Sequence, residues 1–455
     1  MVAVTEHGQR ISTCLPRRAM LAPHLSRSVR TSHALRLFTA RSSSVAMTTR
    51  QRARQFPSSG FEMIDPSQQV EEERLPRYRQ KDYYPMSIGQ VVEDRYQTVG
   101  KLGFGTSSTV WLCRDLTKEQ ATYWALKVHV HTLTHSQELQ VYRHLESKAS
   151  ELSDHPGLPH VRRFEDHFSL QGPDGEHIVF IMTPLGMSLA TLQGMQSDRV
   201  FQRQLVNSAL GQMLLGLSCL HDVDIIHSDL HSDNLLVAIT ETDVLSMVEE
   251  NEFKTPSARK VLEGRTIHVS QYLLGGAGPL TISDLGQARV GKEHRGNAMP
   301  VQYRAPEVIL DMPWGNAIDI WGAALLTWDL FEQQSLFRIY DEHSPEQNDA
   351  QHLAAMTALL GPPPPEFLQR SELTQKYWNM NGQWHGPVPL PPSQSLESRI
   401  SKAFTAAAED RELLANLLER CLAWLPEERP DALQAYMHPW LRGDTPESRQ
   451  VWGNG

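Results

Sequence analysis

The sequence predicts an α+β chain in two lobes, a small β-rich amino-terminal lobe and a larger helical carboxy-terminal lobe, with a cleft between them. Three observations predict it. Short runs of β-branched and aromatic residues crowd residues 91–182. A glycine-rich turn lies between the first two of these runs. Helical periodicity then dominates beyond Leu205.

The elements follow in order. Val91-Val92-Glu93-Asp94-Arg95-Tyr96-Gln97-Thr98-Val99 reads as strand and leads into the glycine turn. Thr109-Val110-Trp111-Leu112-Cys113, Tyr123-Trp124-Ala125-Leu126-Lys127-Val128 and the run from His177 to Met182 continue an antiparallel sheet. Leu210, Met213, Leu214, Leu217 and Leu220 recur at helical spacing. Pro362 to Pro365 and Gly386-Pro387-Val388-Pro389 mark loops in the second lobe.

At 455 residues with 40% apolar content the chain has ample material for a core. No apolar run approaches the roughly 18 residues that a membrane-spanning helix needs. Cys14, Cys113, Cys219 and Cys421 lie far apart, a spacing that argues against a zinc site or a disulfide framework. Residues 1–56 carry ten Arg, no Lys and one acid, Glu6, a net +9. With −10 for the whole chain, residues 57–455 carry −19. Such a surface favours cationic partners and repels nucleic acid; a solvated acidic face without a partner is equally consistent. Residues 1–60 fit either a basic disordered arm or a mitochondrial presequence, with a short amphipathic helix over His33 to Arg41. Translation from Met47 would remove most of that arm. Residues 61–82 are expected as a linker, with order beginning near Tyr83 and a tail at 443–455.

The chemistry concentrates in a few segments. In Gly103-Phe104-Gly105-Thr106-Ser107-Ser108, glycines let the backbone pass close over phosphates. Lys127 follows in Trp124-Ala125-Leu126-Lys127, which resembles the V-A-I-K strand of protein kinases, a likeness that implies a place beside the α- and β-phosphates. Glu138 is the first acid after it, eleven residues on, and is expected to orient it, with Glu146 as the alternative. His227-Ser228-Asp229-Leu230-His231-Ser232-Asp233-Asn234 resembles the H-x-D-L-x-x-x-N catalytic loop of protein kinases. Asp284-Leu285-Gly286, Ala305-Pro306-Glu307, Asp319-Ile320-Trp321 and Arg429 follow in that family's order. The resemblance covers about residues 80–442, and Ala305-Pro306-Glu307 separates it from small-molecule phosphotransferases.

It implies a bilobal protein kinase fold over 83–442, with lobes at about 83–185 and 186–442. It also implies ATP and two Mg2+ ions as cofactors, Asp229 as catalytic base, and Asn234 and Asp284 as metal ligands. Glu307 and Arg429 would form a buried ion pair. Lys101-Leu102-Gly103-Phe104-Gly105-Thr106-Ser107-Ser108-Thr109-Val110-Trp111-Leu112, with Tyr84-Pro85-Met86-Ser87-Ile88-Gly89 and Leu185-Gly186, is similar to SR-protein-specific kinases, in a fungal branch. By that likeness Leu102, Gly103, Gly105, Val110 and Ala125 line the nucleotide site. Met182 is the gatekeeper, and Thr183 and Leu185 meet adenine. Asn234 and Asp284 are 50 residues apart, a separation that matches that family's spacer, here about 240–278. The likeness further implies a monomer of the cytoplasm and nucleus acting on Arg- and Ser-rich proteins. Asp341, Glu342, Glu346 and Asp349 are its candidate docking acids.

Two positions depart from the kinase pattern. Ser228 stands where most kinases carry Arg, a mild departure in a family that often has Thr there. The segment from Asp284 to Glu307 has no Ser or Thr, and Tyr303 is its only hydroxyl. Together these predict an enzyme that activation-loop phosphorylation does not switch on. His231 replaces the lysine that contacts the γ-phosphate, and Pro300 replaces the threonine that bonds it. A lost transition-state contact of this kind is worth about 10²–10³ in rate. An ATP-binding pseudokinase scaffold is therefore the alternative to an active enzyme.

Overall fold

The computed structural model describes residues 50–133, 136–241, 243–273, 276–337, 344–405, 407–443 and 445–452, all within one compact unit, Thr48–Gly455. The amino-terminal lobe is a six-stranded antiparallel sheet. Its strands are β1 (Val91–Val92), β2 (Tyr96–Gly105), β3 (Ser108–Asp115), β4 (Tyr123–His129), β5 (Phe164–Gln171) and β6 (Glu176–Met182), in the order β1-β2-β3-β4-β6-β5. Strand β5 is absent from the sequence reading. It lies at the sheet edge with no buried residue, so its composition is polar and carries no apolar run. Helix α1 (Gln137–Ser147) packs Leu139, Val141, Tyr142 and Leu145 into the main core.

The chain then crosses through β7 (Leu185–Ser188) and α2 (Leu189–Gly194) to α3 (Arg203–His221), whose Leu210, Met213, Leu214, Leu217 and Leu220 are buried as their spacing predicts. Two small ladders carry the loops of interest. Strand β8 (Ile225–Ile226) precedes the catalytic loop and β9 (Leu235–Ala238) follows it. The spacer follows as α4 (Asp243–Lys254) and a hairpin of β10 (Arg259–Leu262) with β11 (Arg265–His268). Strand β12 (Leu280–Ile282) pairs with β9, and β13 (Arg289–Val290) pairs with β8. Helices α5 (Pro306–Ile309) and α6 (Ala317–Phe331) complete the floor of the cleft. Almost all of α6 is buried, including Trp321, Leu326 and Trp328.

Order begins before Tyr83. Residues 50–82 run across the amino-terminal lobe and join it to the spacer. Phe56 stacks on Phe253 of α4 at 4.5 Å. Arg54 lies over the same ring at 4.0 Å and pairs with Glu250 at 2.6 Å. Glu72 pairs with the buried Lys101 of β2, and Glu73 pairs with Lys260 of β10 at 2.9 Å. Leu245 and Val248 of α4 share an apolar cluster with Val99, Leu112 and Tyr123 of the sheet. The spacer is therefore bolted to strands β2, β3 and β4, which it follows in sequence by more than a hundred residues. These contacts, charged and apolar alike, are long-range, so local pattern does not reveal them. At the other end, residues 446–452 of the expected tail form a short helix, and the Trp452 indole donates to the Gln434 carbonyl at 2.8 Å. The expected presequence segment, His33 to Arg41, lies outside the described residues, as do Asp341 and Glu342.

Candidate active site

Sheet register places the amino-terminal half of the site. Gly103 pairs with Val110, Val110 with Lys127, and Ala125 with Met182. The glycine turn, the strand lysine and the gatekeeper position thus stand in adjacent strands. Tyr83 fastens the turn, its hydroxyl shared between the carbonyls of Gly105 at 3.0 Å and Thr106 at 3.1 Å. Leu102 packs partly buried against the core, while Thr183 is exposed and Leu185 half-buried where the chain crosses between lobes.

Lys127 is buried and donates to both carboxylate oxygens of Glu138 at 2.8 Å and to Asp284 at 3.0 Å. Burial alone would push its ammonium down, but Glu138 and Asp284 outweigh that and its pKa is raised. The same contact works in reverse on Asp284. Lys127 holds its carboxyl at about 2 against the opposing effect of burial, so Asp284 is an anion at any physiological pH. Glu138 is the partner of Lys127, and Glu146 on the same helix is not among its ion pairs.

Helix α6 places the catalytic loop. Asp319 accepts from the backbone N–H of His227 at 2.7 Å and of Ser228 at 2.8 Å, and lies 2.9 Å from the His221 ring. Ser228 has φ 59°, a left-handed conformation that side chains disfavour and that these bonds hold in place, and Asp284, bonded to Lys127 and Gly286 N–H, has φ 61°. The Ser228 hydroxyl donates to the Gln287 carbonyl at 2.7 Å, and Met299 N–H donates to the Ser228 carbonyl at 2.8 Å. The loop and the activation segment are thereby joined by neutral bonds where an arginine would stand. Two other cations, Arg289 and Arg304, border a pocket of about 290 Å³ that also includes Ser228 and Asp229.

Asp229 is half-buried. Burial raises its pKa, and nearby His231 and His227 oppose the rise. His231 lies between two carboxylates, 4.0 Å from Asp229 and 3.8 Å from Asp233. Asn234 donates its Nδ2–H to the Asp229 carbonyl at 3.0 Å and accepts Ser283 N–H on its own carbonyl at 2.8 Å. The pairing of Leu235 with Ile282 thus brings Asn234 beside Asp284. Pro300 opens a single turn over Val301–Tyr303, and Tyr303 is buried with its hydroxyl donating to Asp329 at 2.7 Å. Farther down, Arg429 grips Glu307 with two bonds of 2.6 and 2.8 Å, both side chains fully buried. The expected pair is therefore formed.

Sequence reading overlooked three contributors. Asp319 is named only as a helix-opening motif, although it anchors the loop. Arg162 is a buried cation near Glu138 and Asp284 whose Nε finds no hydrogen-bond partner among the described residues. His129 touches Glu138 at 3.0 Å. The last was detectable, because residues two apart on a strand share a face and His129 follows Lys127 at that spacing.

Comparison with known proteins agrees with this geometry. A family model described as the protein kinase domain matches residues 96–441. A serine/threonine protein kinase of Aspergillus fumigatus is 37% identical over 387 residues, 84% of this chain and 94% of that protein. The serine/threonine-protein kinase SRPK of Physarum polycephalum is 29% identical over 393 residues, 82% of this chain and 91% of its own. The serine/threonine-protein kinase SKY1 of Saccharomyces cerevisiae is 32% identical over 197 residues, 42% of this chain and 26% of its own. With the sheet, the anchored loop and the Glu307–Arg429 pair in place, the chain belongs to the protein kinase family, as a serine/threonine kinase similar to the SR-protein-kinase branch.

Proposed function

We propose that this kinase is catalytically active and transfers the γ-phosphoryl group of ATP to Ser within Arg-rich protein segments. The observation that carries the substrate class is a pocket of about 580 Å³ beside the catalytic loop, lined by Asp198, Asp329, which accepts from Tyr303, and Glu332 together with Ser232. Asp233, next to Ser232 in the chain, adds an exposed carboxylate. A guanidinium presents a planar set of donors suited to such oxygens. Arg199 also borders the pocket, so the acids outnumber the cation without excluding it.

The donor set fits ATP and magnesium. Asp284 is an anionic carboxylate, and Asn234 commits only its Nδ2–H, leaving a carboxamide oxygen; hard divalent cations take oxygen donors of this kind. When bound, Mg2+ neutralises phosphate charge as the bond to the leaving oxygen breaks. Lys127, steered by Glu138, would bind the α- and β-phosphates. Asp229 would take or orient the proton of the attacking serine hydroxyl. His231 would stand near the γ-phosphate between Asp229 and Asp233. We further propose that the enzyme needs no activation-loop phosphate, because Tyr303, the sole hydroxyl there, is buried and bonded. Its localisation in cytoplasm and nucleus, or in mitochondria through the basic arm, is testable by fusing residues 1–60 to a reporter.

The second reading, a nucleotide-binding scaffold, is favoured by His231 and Pro300 alone. The two readings are separated by incubating the purified chain with labelled ATP, magnesium and an Arg-Ser peptide beside Asp229→Asn. Transfer by the wild type only is expected, and a Lys-Ser peptide should be a poorer substrate. Equal background from both proteins, with ATP still bound, would establish the scaffold.

A further inference from the structure

Glu138 occupies an unusual place for a residue that must aim a lysine. Helix α1 begins at Gln137, capped by Ser136, whose hydroxyl accepts from Leu139 N–H at 3.1 Å. Glu138 is therefore in the first turn, with no helical turn before it to fix its backbone. It comes only eleven positions after Lys127. A carboxylate in a first turn is favoured by the helix dipole, but that effect is weak and does not set a rotamer.

A second side chain holds it. His129, at the end of β4, has its Nε2 3.0 Å from Glu138 Oε2 and its Nδ1 3.0 Å from the Ile178 carbonyl. The ring is 3% exposed and packs edge-on to Phe180 at 4.5 Å, so neither nitrogen has ready access to water. Both neighbours are acceptors: a peptide carbonyl, and a carboxylate paired with an ammonium. Strand β6 thus clamps one side of the ring, and the other side reaches the oxygen that also accepts from Lys127.

We propose that His129 is a positioning residue for catalysis: it ties Glu138 to the sheet and so replaces the hold that a longer helix would supply. This rests on the reading of the site as an ATP-binding kinase centre. Without the tie, Glu138 is free to leave Lys127, and Lys127 is left to Asp284, the group needed for magnesium. His129 touches neither nucleotide nor substrate in this scheme. Its effect belongs to ATP use and not to peptide recognition.

The test uses the full chain with His129→Gln and His129→Asn. The Gln amide nitrogen can reach the position of Nε2 and donate to Glu138, while that of Asn reaches only the position of Nδ1. His129→Asn should lower kcat/KM for ATP about tenfold, as expected for one hydrogen bond to a charged group, with the peptide KM unchanged. His129→Gln should recover most of the loss. In a Glu138→Ala background, His129→Asn should add nothing. Wild-type kinetics in His129→Asn, or an equal loss with and without Glu138, would overturn the proposal. Titration with a fluorescent ATP analogue and magnesium reads the same cycle without turnover. If the wild type transfers no phosphate, the active-kinase reading fails by itself. A loss of nucleotide affinity in His129→Asn that vanishes in the Glu138→Ala background then still supports the role of His129, and unchanged affinity still sinks it. Thermal midpoints of the wild type and all four variants, and the Gln variant in particular, distinguish a local effect from unfolding.

Discussion

On the amino-terminal side of the cleft, the reactive lysine is held by charge: buried Lys127 donates to buried Glu138 and to the half-exposed Asp284, with His129 and Arg162 close by. On the carboxy-terminal side, the catalytic loop is held by peptide groups. Asp319 collects two N–H bonds from it, and Ser228 bonds Gln287 and Met299 without a cation. Charge clusters in a poorly solvated site are sensitive to the loss of any member, because each survivor remains buried. The Ser228 bonds to backbone groups lose less, but they do not change when a phosphate is added. The comparison separates a charge-tuned nucleotide end from a substrate end that is assembled once, on folding.

The sharpest way to break the comparison is at the base. Asp229→Asn should reduce phosphoryl transfer by about 10²–10⁴-fold, with ATP affinity little changed, in a steady-state assay with an Arg-Ser peptide. Retained turnover would remove Asp229 from the chemistry. Next is the ion pair beneath both halves. Arg429→Ala leaves Glu307 buried and alone, and should destabilise the fold by about 3–5 kcal/mol in urea denaturation. His231→Lys places a permanent charge between Asp229 and Asp233 and should raise kcat by about 10–10² fold, with Pro300→Thr adding to it. A fall in kcat would show that His231 works as it stands. Ser228→Ala removes one hydrogen bond and should cost only about 1 kcal/mol, leaving activity within severalfold. Mass spectrometry of the active wild type should find no phosphate between Leu285 and Glu307.

The two ends should also part in their response to acid. Lys127 depresses the Asp284 pKa from 3.8 to about 2. That attraction is fully present above pH 3.8 and fades only as pH falls toward 2, so the nucleotide end is constant through the neutral range. Burial raises the Asp229 pKa, and a base is lost once protonated. The acid limb of kcat should therefore lie above 3.8, and a limb at or below 3.8 would contradict the burial of Asp229.

Much of the site was legible because catalytic motifs are local. Lys127, Asp229, Asn234, Asp284, Glu307 and Arg429 were each read from a few neighbouring residues, and the structure brings the nucleotide-end residues together as expected. Glu138 was found as the first acid after the lysine. The boundary near Tyr83 was misplaced because residues 50–82 lack apolar periodicity and bind through Arg54, Glu72 and Glu73, whose partners lie far away in sequence. Strand β5 escaped for a related reason, since an exposed edge needs no apolar alternation.

By itself, the sequence determined the kinase class, the order of its motifs and the absence of Ser or Thr from the activation segment, because each depends on residue type at short spacing. Only the tertiary structure decided what holds those residues. The docking of the spacer on the sheet, the grip of Asp319 on the loop, the bond from Ser228 to Gln287 and the hold of His129 on Glu138 all join positions distant in sequence or on different elements. Such contacts follow from how elements pack, and a polar side chain acquires its role from the partner that packing places within hydrogen-bond reach.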